Sequence, residues 1–331
     1  MMTRRALFAA ALAPAQMAEA VKPIEQAVAD GKLKAAVLRV TQGDGVFEKA
    51  FGTAKGSSPF LIASITKPMT ATAVMTLVDA GKLALDAPAA QHLPGLDGRI
   101  TLRHLLTHSS GLPDMLPENT ELRKRHAPLR EWAALAVKAP LLFAPGSKVS
   151  YQSMGILLAA TMAEKVSGKA MPQLLAERVY GPLGMSDTAL GLGRYRLADT
   201  VRSQTEFADP PGDTGWDWNS QWWRELGAPW GGAHSTAADI TKLLRYFMKH
   251  GNGPLQAATA QLMVTPQNAG YGLGWSVKPE PFGHGGSTGT LCWANAAKDV
   301  TFVLLTSLPT SVSQKAVLDP ASRAVRKVFG I

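Results

Sequence analysis

A chain of 331 residues that is 46% hydrophobic and 18% charged can bury a large core, which excludes a disordered or fibrous protein. Its formal net charge of +9 comes from scattered basic residues such as Arg123-Lys124-Arg125, with no long basic run and no nucleic-acid-binding motif. The charge therefore reads as a solvated surface, and Cys292, the one cysteine, excludes a disulfide within the chain.

The chain opens with Thr3-Arg4-Arg5, an apolar stretch over 6–13 and a small-residue site at Ala18-Glu19-Ala20. This pattern predicts an export signal over 1–20, of twin-arginine type, and a periplasmic or secreted bacterial protein. The apolar stretch is too short to span a bilayer, so no stable membrane anchor is expected. Cutting after Ala20 removes two arginines and one glutamate and leaves a net charge of +8. The competing reading of the same residues is an ordinary helix running into 21–30. Residues 34–40 and 45–50 are β-rich runs separated by Thr-Gln-Gly-Asp-Gly, a hairpin signal.

Ser64-Ile65-Thr66-Lys67 then precedes a helical pattern over 69–80 that stops at Gly81. Residues i and i+3 share a helix face, so the Lys67 amine can reach the Ser64 hydroxyl. A serine is a poor nucleophile until a base takes its proton, and an amine held neutral can do so. The helix N-terminus disfavours the ammonium and helps keep the amine free. On its own the spacing is weak and fits better a capping serine followed by a solvated lysine.

The middle of the chain is helical and loop-rich, with many Pro-Gly stops. His104 and His108 stand at i, i+4, a spacing able to ligate zinc, but no glutamate follows His104 as a zincin motif requires, and no metal is expected. Arg99, Arg103 and Asp114 read as surface or loop-bracing residues. Tyr151-Gln152-Ser153 follows the turn at Ala144-Pro145-Gly146-Ser147 and opens a helical run over 154–166. A tyrosine there can relay a proton to a leaving group. Trp216, Trp218, Trp222, Trp223 and Trp230 place five of the eight tryptophans within fifteen residues, either as a wall over a pocket or as packing of the helical lobe.

From Gly270 the texture turns strand-like, over 271–277, 290–296 and 300–307, and 313–328 reads as a closing helix. His284-Gly285-Gly286 lies between two of these strands, and its glycines would let the backbone approach a bound carbonyl. Gly285-Gly286-Ser287-Thr288-Gly289 also fits the G-x-S-x-G elbow of α/β-hydrolases. That elbow needs a following helix and a later histidine, and this chain has a strand-like segment and no histidine beyond His284.

With Ser-x-x-Lys, Tyr-x-Ser and His-Gly-Gly in that order, the chain resembles the penicillin-recognising serine hydrolases, and most of all their class C β-lactamase, D-aminopeptidase and carboxylesterase branch. Leu85-Asp86-Ala87-Pro88, the run from Ile100 to Leu112, Tyr180-Gly-Pro-Leu-Gly-Met-Ser-Asp-Thr188 and Tyr271-Gly-Leu-Gly-Trp275 look like further family signatures, so the likeness covers nearly the whole chain. It implies an α/β (α+β) β-lactamase-like fold: an antiparallel sheet flanked by helices, formed by 21–80 with 235–331, and an inserted, mainly helical lobe over 81–234.

The resemblance further implies Ser64 as the acylated nucleophile, Lys67 as proton acceptor and Tyr151 as the relay, with the choice of base between Lys67 and Tyr151 left open. The oxyanion hole would be the backbone N–H groups of Ser64 and Ser287. Ser153, His284, Gly285, Gly286, Trp222 and Trp223 are the expected substrate-binding residues, and no cofactor is implied. Two departures matter. Ser153 stands where amide-cleaving relatives carry asparagine, and His284 stands where β-lactamases carry lysine. Both point to a carboxylesterase on small esters ahead of a β-lactamase or D-amino-acid peptidase. A reading of another class is a non-catalytic binding or sensor module on the same scaffold.

Overall fold

The computed structural model describes residues 12–204, 215–249, 253–277 and 281–331. Helix α1 (Ala18–Ala29) leads into the hairpin β1 (Ala35–Gln42) and β2 (Gly45–Gly52), a short β3 (Phe60–Leu61) and then α2 (Thr66–Asp79). The helical stretch holds α3 (Leu102–Leu106), α4 (Asn119–Lys124), α5 (Leu129–Lys138), α6 (Ser153–Ser167) and α7 (Met171–Leu175). After β4 (Ala189–Leu190) come α8 (Gln221–Leu226), β5 (Ala233–Ser235), α9 (Ala237–Lys249) and α10 (Ala257–Met263). The chain closes with β6 (Ser276–Val277), β7 (Phe282–Gly286), β8 (Thr290–Asn295), β9 (Val300–Thr306), α11 (Thr310–Ser313) and α12 (Asp319–Phe329).

Six strands form one antiparallel sheet in the order β2-β1-β9-β8-β7-β6, so the first and last segments of the chain pair directly, with Ala36 opposite Thr306. The hairpin closes on a two-residue turn, Gln42 facing Gly45, and Gly43 takes the positive φ of 52° that such a turn favours. Alternation along the central strands feeds two cores. Leu38, Val40, Phe302 and Leu304 face α1 and α12, while Val37, Val303, Leu305 and Cys292 face the larger core around α2 and α9. Cys292 is fully buried on β8, where the sequence puts it.

The expected strand over 271–277 shrinks to β6. Gly274 donates its N–H to Leu106 O (2.9 Å) and Gly272 to Trp275 O (3.0 Å), so these backbone groups are spent on a loop and not on a ladder. Gly274, at φ 80°, lies so close to α2 that a Cβ there would sit 2.5 Å from Ala71 Cβ.

The cut proposed after Ala20 falls inside α1, and Met17 and Ala20, 0% and 1% exposed, belong to the core between α1, α12 and the sheet. Folded chain therefore extends upstream of that position. Residues 1–11 lie outside the described residues, and among the described ones no helix is long and apolar enough to cross a membrane.

Helix α2 positions the site. Twelve of its fourteen residues are buried, Lys67 among them, as for a helix packed on all sides. Its N-terminal end is reached through a 3₁₀ turn over Ala63–Ile65 that carries Ser64.

Candidate active site

Ser64 is presented by a strained backbone. Ala63 has φ 45°, a left-handed conformation that a residue with a Cβ rarely adopts. Several bonds hold that turn in place. Thr66 donates its hydroxyl to Ala63 O (2.6 Å) and accepts the Ala233 N–H (3.1 Å), tying the turn to β5. The Thr288 and Thr290 hydroxyls donate to Leu61 O (2.6 Å) and Ile62 O (3.0 Å), tying it to the β7–β8 turn.

Lys67 Nζ lies 2.9 Å from Ser64 Oγ and donates to Trp230 O, also at 2.9 Å. It is fully buried and makes no ion pair with any described residue. Burial disfavours the ammonium and brings the Lys67 pKa from 10.5 to about 7, opposed only by the Asp114 carboxylate. At neutral pH a large share of Lys67 is thus a free amine with its lone pair available to the serine.

Tyr151 completes the group. Its ring centroid is 4.7 Å from Lys67 Nζ, and it lines the same cavity as Ser64. Burial pushes the phenol well above its ordinary value, further than the neighbouring Ser64 side chain lowers it, so the resting group is a protonated donor. His108, Tyr271 and His284 surround the ring at centroid distances of 4.7, 6.4 and 6.2 Å. His284 donates Nδ1–H to Gly285 O (2.7 Å), and burial lowers its pKa to about 4, so it is a neutral imidazole at this place. His108 accepts the Gln152 N–H at Nδ1 (3.2 Å), with its pKa lowered to about 3 by burial. His108 lies beyond the end of α3, at φ 58°, and His104 caps that helix, so the i, i+4 face never forms. Among the described residues no group of three or more His, Cys, Asp or Glu could hold a metal.

A cavity of about 260 Å³ opens on Ser64, a size that suits a small acyl group. Tyr151, Ser153, Ser287 and Thr288 line it together with Trp218, Trp223 and Trp230. Of the expected substrate-binding residues, Ser153 and Trp223 reach the cavity, but Trp222, His284, Gly285 and Gly286 do not line it. Trp222 stacks on His126 instead, with centroids 4.7 Å apart and planes 11° from parallel. Gly286 serves the backbone: a Cβ there would meet Ile62 O at 2.4 Å, so only glycine lets β7 come this close to the Ser64 turn. Gly285 has no such need, since its nearest neighbour would be 3.7 Å from a Cβ. Ser287 sits in a strand–turn–strand and not before a helix, so the G-x-S-x-G match is not a hydrolase elbow.

Sequence reasoning missed two charged residues of the cavity. Asp114 accepts the Ser153 N–H (2.8 Å) and the Ser153 hydroxyl (2.7 Å). Arg123 donates to Trp216 O (3.2 and 3.0 Å) and lies 4.0 Å over the Trp223 ring. Neither residue sits in a motif, and each meets its partners from more than thirty residues away in sequence. The tryptophan segment is braced from behind by the buried Arg224, which donates to Trp218 O, Thr200 Oγ1, Val201 O and Asn219 Oδ1 at 2.8–3.0 Å.

The family model described as Beta-lactamase matches residues 21–327. Esterase EstB of Burkholderia gladioli is 33% identical over 191 residues, a stretch covering 49% of this chain and 48% of EstB, so the match spans about half the length of that relative. A putative D-alanyl-D-alanine carboxypeptidase of Escherichia coli (strain K12) is 27% identical and covers 87% of this chain and 81% of that one. Among solved structures, EstCE1, described as a hydrolase with promiscuous acyltransferase activity, superposes with a TM-score of 0.76 at 21% identity, covering 94% of this chain and 98% of its own.

Proposed function

The chain belongs to the Beta-lactamase family of serine hydrolases, and we propose that it is a carboxylesterase working through an acyl-enzyme on Ser64. The observation that carries this reading is the buried amine 2.9 Å from the Ser64 hydroxyl, with its pKa brought to about 7. As Ser64 Oγ attacks the ester carbonyl, its proton passes to Lys67 Nζ, and the carbonyl oxygen becomes an oxyanion facing the Ser64 and Ser287 N–H groups. When the intermediate collapses, the C–O bond to the alcohol breaks and the protonated Tyr151 phenol supplies the leaving group's proton. Lys67 then restores the phenol. A water attacks the acyl carbon in the second half, gives its proton to the same pair, and Ser64 leaves as the free hydroxyl.

Esters are favoured over amides because Ser153 spends its one hydroxyl proton on Asp114 and has no donor left for an amide carbonyl. The neutral, buried His284 likewise supplies no fixed cation for a β-lactam carboxylate. Hydrolysis of p-nitrophenyl butyrate tests the reading: Ser64→Ala should lower kcat/KM by about 10³-fold or more. Turnover that survives the substitution would refute it. The carboxypeptidase relative supports a second reading, cleavage of D-amino-acid amides or β-lactams. Rapid nitrocefin turnover alongside poor ester turnover would favour that one.

For location, export to the periplasm remains the proposal. The proposed cut after Ala20 would then take the first turn of α1 with it. Sequencing the N-terminus of secreted protein tests this directly.

A further inference from the structure

Tyr151 is a wall residue of two cavities. One is the cavity of about 260 Å³ on Ser64, and the other, of about 750 Å³, is lined from α3 and from the segments 107–109, 146–151 and 267–271. Tyr151 hands its proton to the departing alcohol oxygen, so the alcohol half of the ester leaves Ser64 along Tyr151. The second cavity is the space that shares this residue. Its volume is in the range that holds a whole small molecule, while the Ser64 cavity suits a short acyl chain, so the alcohol is the larger half of the substrate.

Ten of the thirteen residues lining the second cavity carry a polar side chain, which argues against a fatty alcohol. Charge does not select an ion there either. Among the described residues no carboxylate lines the cavity, and the Arg103 guanidinium is already matched. It donates twice to Asp86, at 2.7 and 2.8 Å, and once to Gln267 Oε1. Lys148 has no ion pair with a described residue, but it is exposed, and a single exposed ammonium holds an anion weakly.

What remains is a set of neutral groups of both polarities. His104 accepts the Thr101 N–H at Nδ1 (3.2 Å) and burial lowers its pKa, so the neutral ring carries its hydrogen on Nε2 as a donor. Gly146 leaves that edge uncovered, since a Cβ there would lie 3.1 Å from Nε2. Thr107 donates its hydroxyl to Arg103 O (2.8 Å), so Ser109 is the donor in the 2.9 Å bond between the two hydroxyls and keeps its lone pairs as acceptors. The Tyr271 hydroxyl makes no hydrogen bond with a described residue and can both give and take. The Tyr151 and Tyr271 rings, with centroids 6.4 Å apart, add aromatic surface. Donors and acceptors interleaved beside aromatic rings match a ring of hydroxyls, because each hydroxyl both donates and accepts while the C–H groups pack on the apolar ring surface.

We propose that this second cavity takes the alcohol half of the ester and selects a polyhydroxylated one, a sugar or sugar-like polyol carrying a short acyl group. The inference rests on the esterase reading and adds to it the class of alcohol. Tyr271 and His104 are then specificity-determining residues, since they meet the alcohol and not the reacting carbonyl. One neutral hydrogen bond corresponds to about threefold to tenfold in relative rate, and two or three acting together to more than tenfold.

The test compares methyl 6-O-acetyl-α-D-glucopyranoside with cyclohexylmethyl acetate, which put the same acyl group on a primary alcohol beside a six-membered ring, with and without hydroxyls. Acid release by the full chain is followed at constant pH. kcat/KM should favour the sugar ester by about tenfold or more, and Tyr271→Phe, which keeps the ring and removes the hydroxyl, should lower that ratio about fivefold. A ratio at or below one, or one that moves less than twofold in Tyr271→Phe, would overturn the proposal. Saturation-transfer NMR on Ser64→Ala protein gives a second arm that needs no turnover. Methyl α-D-glucopyranoside should bind, adding Tyr271→Phe should weaken it about fivefold, and cyclohexylmethanol should not displace it. No binding of the glucoside, or its displacement by cyclohexylmethanol, would overturn the proposal. If neither acetate is hydrolysed the esterase reading falls, while the glucoside arm still decides what the cavity holds.

Discussion

Lys67 illustrates how one residue can cost stability to gain chemistry. Its amine is buried without a counter-ion, so the folded protein binds its proton less readily than the unfolded chain does. The folded pKa is lowered, so between about 7 and 10.5 the unfolded state holds the extra proton and stability rises with pH across that window. Replacing Lys67 by methionine removes the penalty, and the melting temperature at pH 7 should rise by about 2–5 °C while esterase activity disappears. A differential scan of Lys67→Met beside the parent protein checks both halves. The same pKa sets the pH profile: kcat/KM should climb from acid through a midpoint near 7 as the amine deprotonates. The raised Tyr151 phenol places any alkaline fall above the ordinary tyrosine range. A midpoint near 4–5 would assign the base to a carboxylate instead. At this scale the sequence was most legible where spacing alone fixes geometry, as for Ser64 and Lys67 at i, i+3. It was blind to Asp114, whose partner Ser153 lies 39 positions away and is brought to it only by the fold.

The elements around the site explain which neighbours are replaceable. Gly286 is held against the Ser64 turn, so Gly286→Ala must push β7 away from Ile62 and with it the Ser287 N–H. We expect a loss of about 1–3 kcal/mol in stability and a fall in kcat larger than any change in KM. Gly285→Ala should cost little, since the added methyl meets ordinary contact distances. Melting curves and steady-state kinetics on the two variants separate them. The tryptophan segment behaves as a unit through Arg224: Arg224→Met would leave the Trp218 and Val201 carbonyls without their donor, each costing about 1–3 kcal/mol. Its expected signature is a lower melting temperature together with a raised KM for p-nitrophenyl butyrate, because Trp218 lines the cavity. Composition left a pocket wall and packing of the helical lobe equally open and could not assign the members to either. Trp222 and Trp223 are neighbours in sequence and point to different environments, one to His126 and one to the cavity.

At the scale of the whole molecule, the pairing of β1 with β9 joins residues near both ends of the chain into one sheet, and α1 and α12 cover one of its faces. That architecture was readable from the strand-like runs at the two ends and the helical stretch between them. The boundary at the N-terminus was not, because an apolar alanine-rich run fits a leader and a core helix equally well, and only packing tells them apart. Removing residues 1–11 should leave the melting temperature close to that of the full chain. Removing 1–20 strips Met17 from a fully buried site and should cost about 2–5 kcal/mol. Melting the two truncations distinguishes a leader that ends before the fold from one that would cut into it.

The most direct measurement is the mass of the protein after brief exposure to a fluorophosphonate, followed by peptide mapping. A single adduct on the peptide containing Ser64, absent in Ser64→Ala and forming faster as the pH rises through about 7, is the predicted result. An adduct on Ser287, or none at all while the ester is still hydrolysed, would contradict it.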